Sequence, residues 1–324
     1  MRATVVTKFG PPEVLEAQKR PDPVPADAEA VIEVAAADVL FVEAMVRRGD
    51  APEGMVPELP YVPGNGVAGR VLAVGSGVEP GWIGRAVVAH TGSRGGYADW
   101  ALVEIDGLSA VPDELALTDA AALLHDAPTA LTLFDLTGAA SAGSVLVLGA
   151  SGGLGLMLVQ LARASGVRIV AVARDDAKLE RIRAMAPDVS VIDSECSDWI
   201  EQARGALGDA GADVVFDNIG GALGESAFGL TAEGGHYSAH GTPSGQFAAI
   251  DPEQAARRDV ALTGIESVQL DKQALKLATE RALAAAARGE LTPVIGQTYP
   301  LERAAQAHAA IEARTVFAKT LLTM

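Results

Sequence analysis

Cysteine is almost missing from this chain: Cys196 is the only one in 324 residues. A single thiol cannot close an intrachain disulfide, and a four-thiolate structural zinc site is out of reach. Aromatic residues are scarce at 4%, so an apolar interior must be built from Ala, Val, Leu and Ile. Cations are outnumbered as well. Lys and Arg total 25 against 42 Asp and Glu, a formal net charge of −17, which argues against nucleic-acid partners and anionic membrane surfaces. No apolar run approaches the roughly 20 residues of a membrane span. The start, MRATVVTKFGPPEV, lacks the apolar core of a signal peptide. The expectation is a soluble cytoplasmic protein acting on a small molecule.

What the chain does have is apolar residues, 49% of the total, enough for a sizeable core, and a length that suits two domains. Its texture changes near residue 120. Earlier segments read as short β runs, such as Ala30–Val34, Gly66–Val74 and Arg85–Ala89, broken by Gly and Pro. Close spacing of short strands predicts a partly closed β-barrel. Later segments alternate apolar strands with amphipathic helices. Strands are expected at Val145–Leu148, Val167–Ala173, Val189–Ile192, Asp213–Phe216 and Gly235–Ala239. Asp175 and Ser197 are candidate N-caps for the second and third helices. This rhythm predicts a doubly wound parallel sheet. A strand-like stretch, ALTGIESVQL, then precedes an Ala-rich helix from Asp271 to about Arg288. The tail adds a helix, Leu301–Arg314, and a β run, Val316–Leu322, free to return to the first domain.

The strongest local signal is VLVLGASGGLG at 145–155, with Gly149, Gly152 and Gly155 between a strand and a helix. One glycine permits the tight turn, one lets the backbone approach a pyrophosphate, and one lets helix and strand pack closely. Amides opening the helix can then hold the anion, aided by the helix dipole. The whole turn, Gly149, Ala150, Ser151, Gly152, Gly153, Leu154 and Gly155, is the expected dinucleotide cradle. An NAD site usually carries an acid at the end of the second strand. Here Ala173 stands there, Arg174 follows, and Lys178 comes one helical turn later. A guanidinium suits a ribose 2′-phosphate, so NADPH is the expected cofactor. The opposing reading has Asp175 on the ribose and Arg174 merely solvated. At the end of the fifth strand, Ala239, His240, Gly241 and Thr242 lie where ligands gather in open sheets.

Beyond these motifs, KFGPPEVLE, AADVLFVEAMVRRGD, LPYVPGNGVAGRVLAVGSGV, GGYADWALVE, VPDELALTDAAALL, LGASGGLGLMLVQLARASGV, DVVFDNIGG and YPLERAAQAHAAIEAR…AKTLL occur in one order along nearly the whole chain. In this the chain resembles the quinone oxidoreductase-like and enone reductase-like medium-chain dehydrogenase/reductases. The resemblance implies a GroES-like catalytic domain, 1–122 and 262–324, and a Rossmann domain, 123–261, inserted between its parts. It also implies a homodimer joined through an edge strand near Val260–Leu270. The short-chain reductases fit the glycines less well. Their motif lies near the chain start, and their Tyr is followed by Lys four residues on, whereas Tyr61, Tyr97, Tyr237 and Tyr299 are followed there by Asn65, Ala101, Gly241 and Arg303.

The zinc-using branch carries Gly-His-Glu where this chain has Gly64-Asn65-Gly66, and a cysteine that is missing from 35–43. Lacking those ligands, the chain is expected to be zinc-independent and to use NADPH for direct hydride transfer to a quinone or to the C=C bond of an α,β-unsaturated carbonyl. By position, Thr129 and Asn218 match residues beside the cofactor; the bland alternatives are a helix-interior Thr and a turn Asn. His240 is either a donor to a substrate oxygen or an exposed turn residue. Tyr61 is either a phenol at the cleft or a barrel-packing residue. Glu43 occupies the common Asp position and joins His240 and Tyr61 as a catalytic candidate. Leu40 and Met45 replace an Asn and a Tyr found in many relatives, which predicts a more apolar pocket. That departure leaves open a biosynthetic tailoring enzyme, reductive or redox-neutral, and a catalytically silent NADPH-binding protein.

Overall fold

The structure, a computed structural model, describes residues 1–51, 54–92 and 95–324. It divides into two compact units, Met1–His125 with Lys272–Met324, and Asp126–Asp271.

In chain order the strands of the first stretch are β1 (Arg2–Val6), β2 (Leu15–Lys19), β3 (Glu29–Val39), β4 (Gly66–Val74), β5 (Ala86–His90), β6 (Trp100–Glu104) and β7 (Leu108–Ala110). The second unit contributes β8 (Ser144–Leu148), β9 (Arg168–Ala173), β10 (Ser190–Asp193), β11 (Ala212–Asp217), β12 (Thr231–Ala239) and β13 (Ala261–Gly264). The tail adds β14 (Ile295–Pro300) and β15 (Lys319–Thr323).

The first unit is a β fold in which β3 is the central element. β4 pairs along one edge of it, while β6 and β15 share the other edge, β6 on residues 29–33 and β15 on residues 36–39. From there the sheet runs outward through β4, β5 and β7 on one side and β15 and β14 on the other. β1 and β2 form a separate two-stranded sheet, bridged at Ala3 to Ala98 and at Val6 to Tyr61. The core is mostly small and aliphatic, as the shortage of aromatics requires: Val6, Ile32, Val34, Val67, Val71, Val87, Leu108 and Leu322 pack with Tyr61 and Tyr97.

The second unit is a fully parallel sheet of order β10-β9-β8-β11-β12-β13. This is the doubly wound dinucleotide-fold order, and it reverses direction between β8 and β11. β8 is buried at all five positions, as a strand covered on both faces must be.

Several expectations need correction. The boundary read from the sequence at 261/262 moves to 271/272, because Ala261–Gly264 pairs in register with His236–Ala239 and so completes the parallel sheet. The strand-like stretch is only four residues long and passes into a 3₁₀ turn at Ile265–Val268. Asp198, not Ser197, stands at the start of the third helix, and it makes no side-chain cap bond. Asp175 does cap its helix, accepting from the Ala177 amide at 3.0 Å. β14 escapes a periodicity reading because IGQTYP has no apolar alternation.

Candidate functional site

In the second unit, the strand-order reversal places the ends of β8 and β11 side by side. Gly149 takes a left-handed φ of 67°, and a Cβ at Gly155 would lie 2.4 Å from the Gly149 carbonyl oxygen. The turn therefore needs glycine at both places, one for its dihedral and one for close helix–strand packing. The helix Gly153–Ala164 opens at Gly152 with no side-chain cap. Amides in a first helical turn have no intrahelical acceptor, so here they are presented uncapped at the carboxyl end of the sheet. Ala150 itself donates to the Val172 carbonyl and Gly152 to Gly149, which fixes the loop. Among the described residues, this arrangement fits a dinucleotide pyrophosphate.

At the end of β9, Ala173 leaves no carboxylate for a ribose. Arg174 is half-buried and Lys178 is buried. Burial holds the Lys178 ammonium below its ordinary range; Asp175 opposes this and the neighbouring Arg174 reinforces it. Two cations so placed suit a phosphate. Asp175 turns its carboxylate back to the helix it caps.

Asn218 follows β11 and donates from Nδ2 to the Leu148 carbonyl at 2.7 Å, which bridges the two strand ends. His240 is not an exposed turn residue. It is 6% exposed, with Nε2 2.7 Å from Asn218 Oδ1 and Nδ1 3.0 Å from Ser238 Oγ. With both ring nitrogens engaged, it has no donor left for a substrate. Burial lowers its pKa to about 4, so the ring is neutral. Ala239, Gly241 and Thr242 are half-buried beside it, and Thr129 is half-buried on the helix Asp126–Leu136.

The first unit holds a separate constellation. Tyr61 and Glu43 line one cavity of about 210 Å³, whose other walls include Val42, Val46, Met55 and Val56. The Glu43 carboxylate is fully engaged. Oε2 accepts from the Leu40 amide at 2.9 Å and the Tyr97 hydroxyl at 2.6 Å, and Oε1 accepts from the Asn65 amide at 2.7 Å. Glu43 thus closes the start of the helix Phe41–Arg48 and ties it to the Gly64-Asn65 turn, roles unlike those of a reacting acid. Burial, with the charge of Asp38, pushes its carboxyl up to about 7. Tyr61 differs: its backbone is pinned to Val6 on β1, and its buried hydroxyl has no hydrogen-bond partner among the described residues. Burial, then the Glu43 charge, raises it to about 12, so the phenol keeps its proton.

Deeper in this unit lies a group the sequence reading passed over. Asp38, fully buried on β3, accepts from His125 Nδ1 at 2.7 Å and from Lys319 Nζ on β15 at 3.0 Å. Burial alone would raise its carboxyl, but the His125 and Lys319 partners outweigh it and hold it well below the ordinary range. His125 Nε2 in turn meets His90 Nδ1 at 3.3 Å. The signal was an Asp inside an otherwise apolar run, since such residues are buried only when paired. Among the described residues, no three His, Cys, Asp or Glu side chains are grouped to hold a metal ion, and Leu40, Asn65 and Gly66 supply no ligand set for zinc.

Residues 26–113 match the family described as alcohol dehydrogenase GroES-like domain, and residues 153–283 match zinc-binding dehydrogenase. The chain is 32% identical over 310 residues to quinone oxidoreductase of Rattus norvegicus, covering 95% of this chain and 93% of that protein. Among solved structures, a mycobacterial protein complexed with NADPH superposes with a TM-score of 0.89 at 28% identity, covering 100% of both chains. An NAD-dependent alcohol dehydrogenase gives a TM-score of 0.89 at 30% identity, also covering 100% of both.

Proposed function

Since the chain belongs to the quinone oxidoreductase-like medium-chain dehydrogenase/reductases, we propose that it is an NADPH-dependent reductase of quinones or of the C=C bond of α,β-unsaturated carbonyls. The observation that carries this reading is the uncapped helix start at Gly152, set where the parallel sheet reverses. The amides of Ser151 and of Gly153–Gly155 hold the pyrophosphate, and Arg174 with Lys178 takes the 2′-phosphate. Thr129, Asn218 and residues 239–242 complete the nucleotide's surroundings. When bound, the reduced nicotinamide supplies the hydride.

The chain's own contribution to reduction is positional and electrostatic. The cavity of the first unit has Val42, Val46, Met55 and Val56 in its walls, and among the described residues the buried Tyr61 hydroxyl beside them has no hydrogen-bond partner. Tyr61 donates a hydrogen bond to the substrate oxygen on which negative charge gathers. Glu43 is a positioning residue that keeps the helix Phe41–Arg48 and the Asn65 turn in place around that cavity. Leu40 and Met45, apolar where many relatives are polar, favour a bulky hydrophobic acceptor, and this supports a second reading: a tailoring enzyme reducing one unsaturated intermediate.

The test mixes the purified protein with NADPH or NADH and a panel of quinones and enones, following absorbance of the reduced nicotinamide. Turnover across the panel with NADPH is expected. Turnover of one complex substrate alone would favour the tailoring enzyme, and tight binding with no turnover would reject catalysis in favour of a silent nucleotide-binding protein. Arg174→Ala should erase the preference for NADPH over NADH; an undiminished preference refutes the role given to Arg174.

A further inference from the structure

Four groups in the second unit form one directed hydrogen-bond chain. The Leu148 carbonyl can only accept, so the side-chain atom of Asn218 facing it at 2.7 Å must be the amide nitrogen. Oδ1 then faces His240 Nε2 at 2.7 Å, which obliges Nε2 to carry the ring proton. A neutral His240 has its lone pair on Nδ1, and the Ser238 hydroxyl, 3.0 Å away and buried, donates to it. Ser238, His240 and Asn218 therefore all donate in the same sense, ending on the carbonyl of β8. The backbone is fitted as closely: a Cβ at Gly241 would lie 1.9 Å from the Asn218 carbonyl carbon. Asn218 keeps one amide hydrogen that this chain does not use, and it stands beside the reversal point of the sheet, where ligands of open parallel sheets bind.

Resting on the nucleotide site assigned above, we infer that His240 is a positioning residue: with Ser238 behind it, it fixes the Asn218 amide so that its unused N–H is a preorganised donor to an oxygen of the bound dinucleotide. A side-chain amide left to rotate would offer oxygen or nitrogen to that acceptor in turn. The imidazole, held from behind, removes the choice. This also gives a role to a histidine buried at a strand end with both ring nitrogens engaged.

Calorimetric NADPH binding to the full chain tests this, with His240→Leu, His240→Gln and Asn218→Ala beside the parent. His240→Leu and Asn218→Ala should each weaken binding about tenfold, the weight of one well-placed hydrogen bond. His240→Gln, whose amide can still donate to Asn218 Oδ1, should bind within about twofold of the parent. Unchanged affinity in His240→Leu overturns the inference, as does equal weakening in His240→Gln. If His240→Leu does not fold, nitrogen-15 NMR of the parent decides: a protonated Nε2 with unprotonated Nδ1 at neutral pH upholds the chain, and the opposite tautomer overturns it. Failure of the parent itself to bind any pyridine nucleotide would instead remove the nucleotide site on which the inference rests.

Discussion

One polar cluster from each unit makes an instructive pair. In the parallel-sheet unit the working groups are mainly backbone amides, and Ser238 and His240, both buried, join the half-buried Asn218 as neutral partners. In the β unit two ion pairs hold buried charge, Asp38 with Lys319 and Arg47 with Glu312. These pairs join segments far apart in sequence. Ion pairs suit a unit whose strands come from both ends of the chain, because desolvated opposite charges tolerate no wrong partner.

The largest test of this contrast is Lys319→Met. Leaving Asp38 buried without its ammonium should cost about 3 kcal/mol or more of stability by denaturant unfolding, with NADPH affinity unchanged under native conditions. Loss of nucleotide binding with no loss of stability would reverse the comparison.

Acid comes next. His90 and His308 are held by burial at about 3, and His240 at about 4. Each binds a proton in the unfolded chain, but not in the folded one, between its folded value and about 6.5, so stability drops as pH falls through that window. Glu43, raised to about 7, acts the other way between its unfolded value and 7. The histidines outnumber it, so stability should peak near pH 6.5 and decline on acidification by about 1 to 3 kcal/mol per pH unit. Glu43→Gln should steepen that decline; a flat profile from pH 7 to 5 would contradict these burial effects.

Gly155→Ala places a methyl against the Gly149 carbonyl. It should cost about 1–3 kcal/mol and weaken NADPH binding at least as strongly, as calorimetry and thermal melts would show. Tyr61→Phe should lower kcat/KM about tenfold with nucleotide affinity unchanged, since only one hydrogen bond to the substrate is lost. Smallest is Asp175→Ala, which removes a helix cap worth about 1 kcal/mol.

Much of the parallel sheet was legible because its strands are continuous apolar runs and its turn needs glycine, both local properties. Asp38 and Lys319 were not, since the pairing depends on β15 returning to lie against β3, and no local pattern fixes that register. For the same reason the strand seen in sequence as Ala30–Val34 extends to Glu29–Val39: AAAD ends the apolar alternation, while the ladder to β4 and β15 continues. His240 was legible as a residue at the right strand end but not in its role, because its partners Ser238 and Asn218 come from two different strands. Glu43 was found by position; its three donors, the Leu40 and Asn65 amides and the Tyr97 hydroxyl, come from three separate segments that only the fold brings together.

The shared edge of β3 also has a consequence for synthesis. Residues 36–39 find their neighbour only when 319–323 have left the ribosome, after the whole second unit has emerged. Until then that edge is an open template for any passing strand. A nascent chain stalled or clipped before Lys319 would carry a finished nucleotide-fold unit beside a half-built sheet, and that species, more than the mature protein, is the one a cell's chaperones would have to shield.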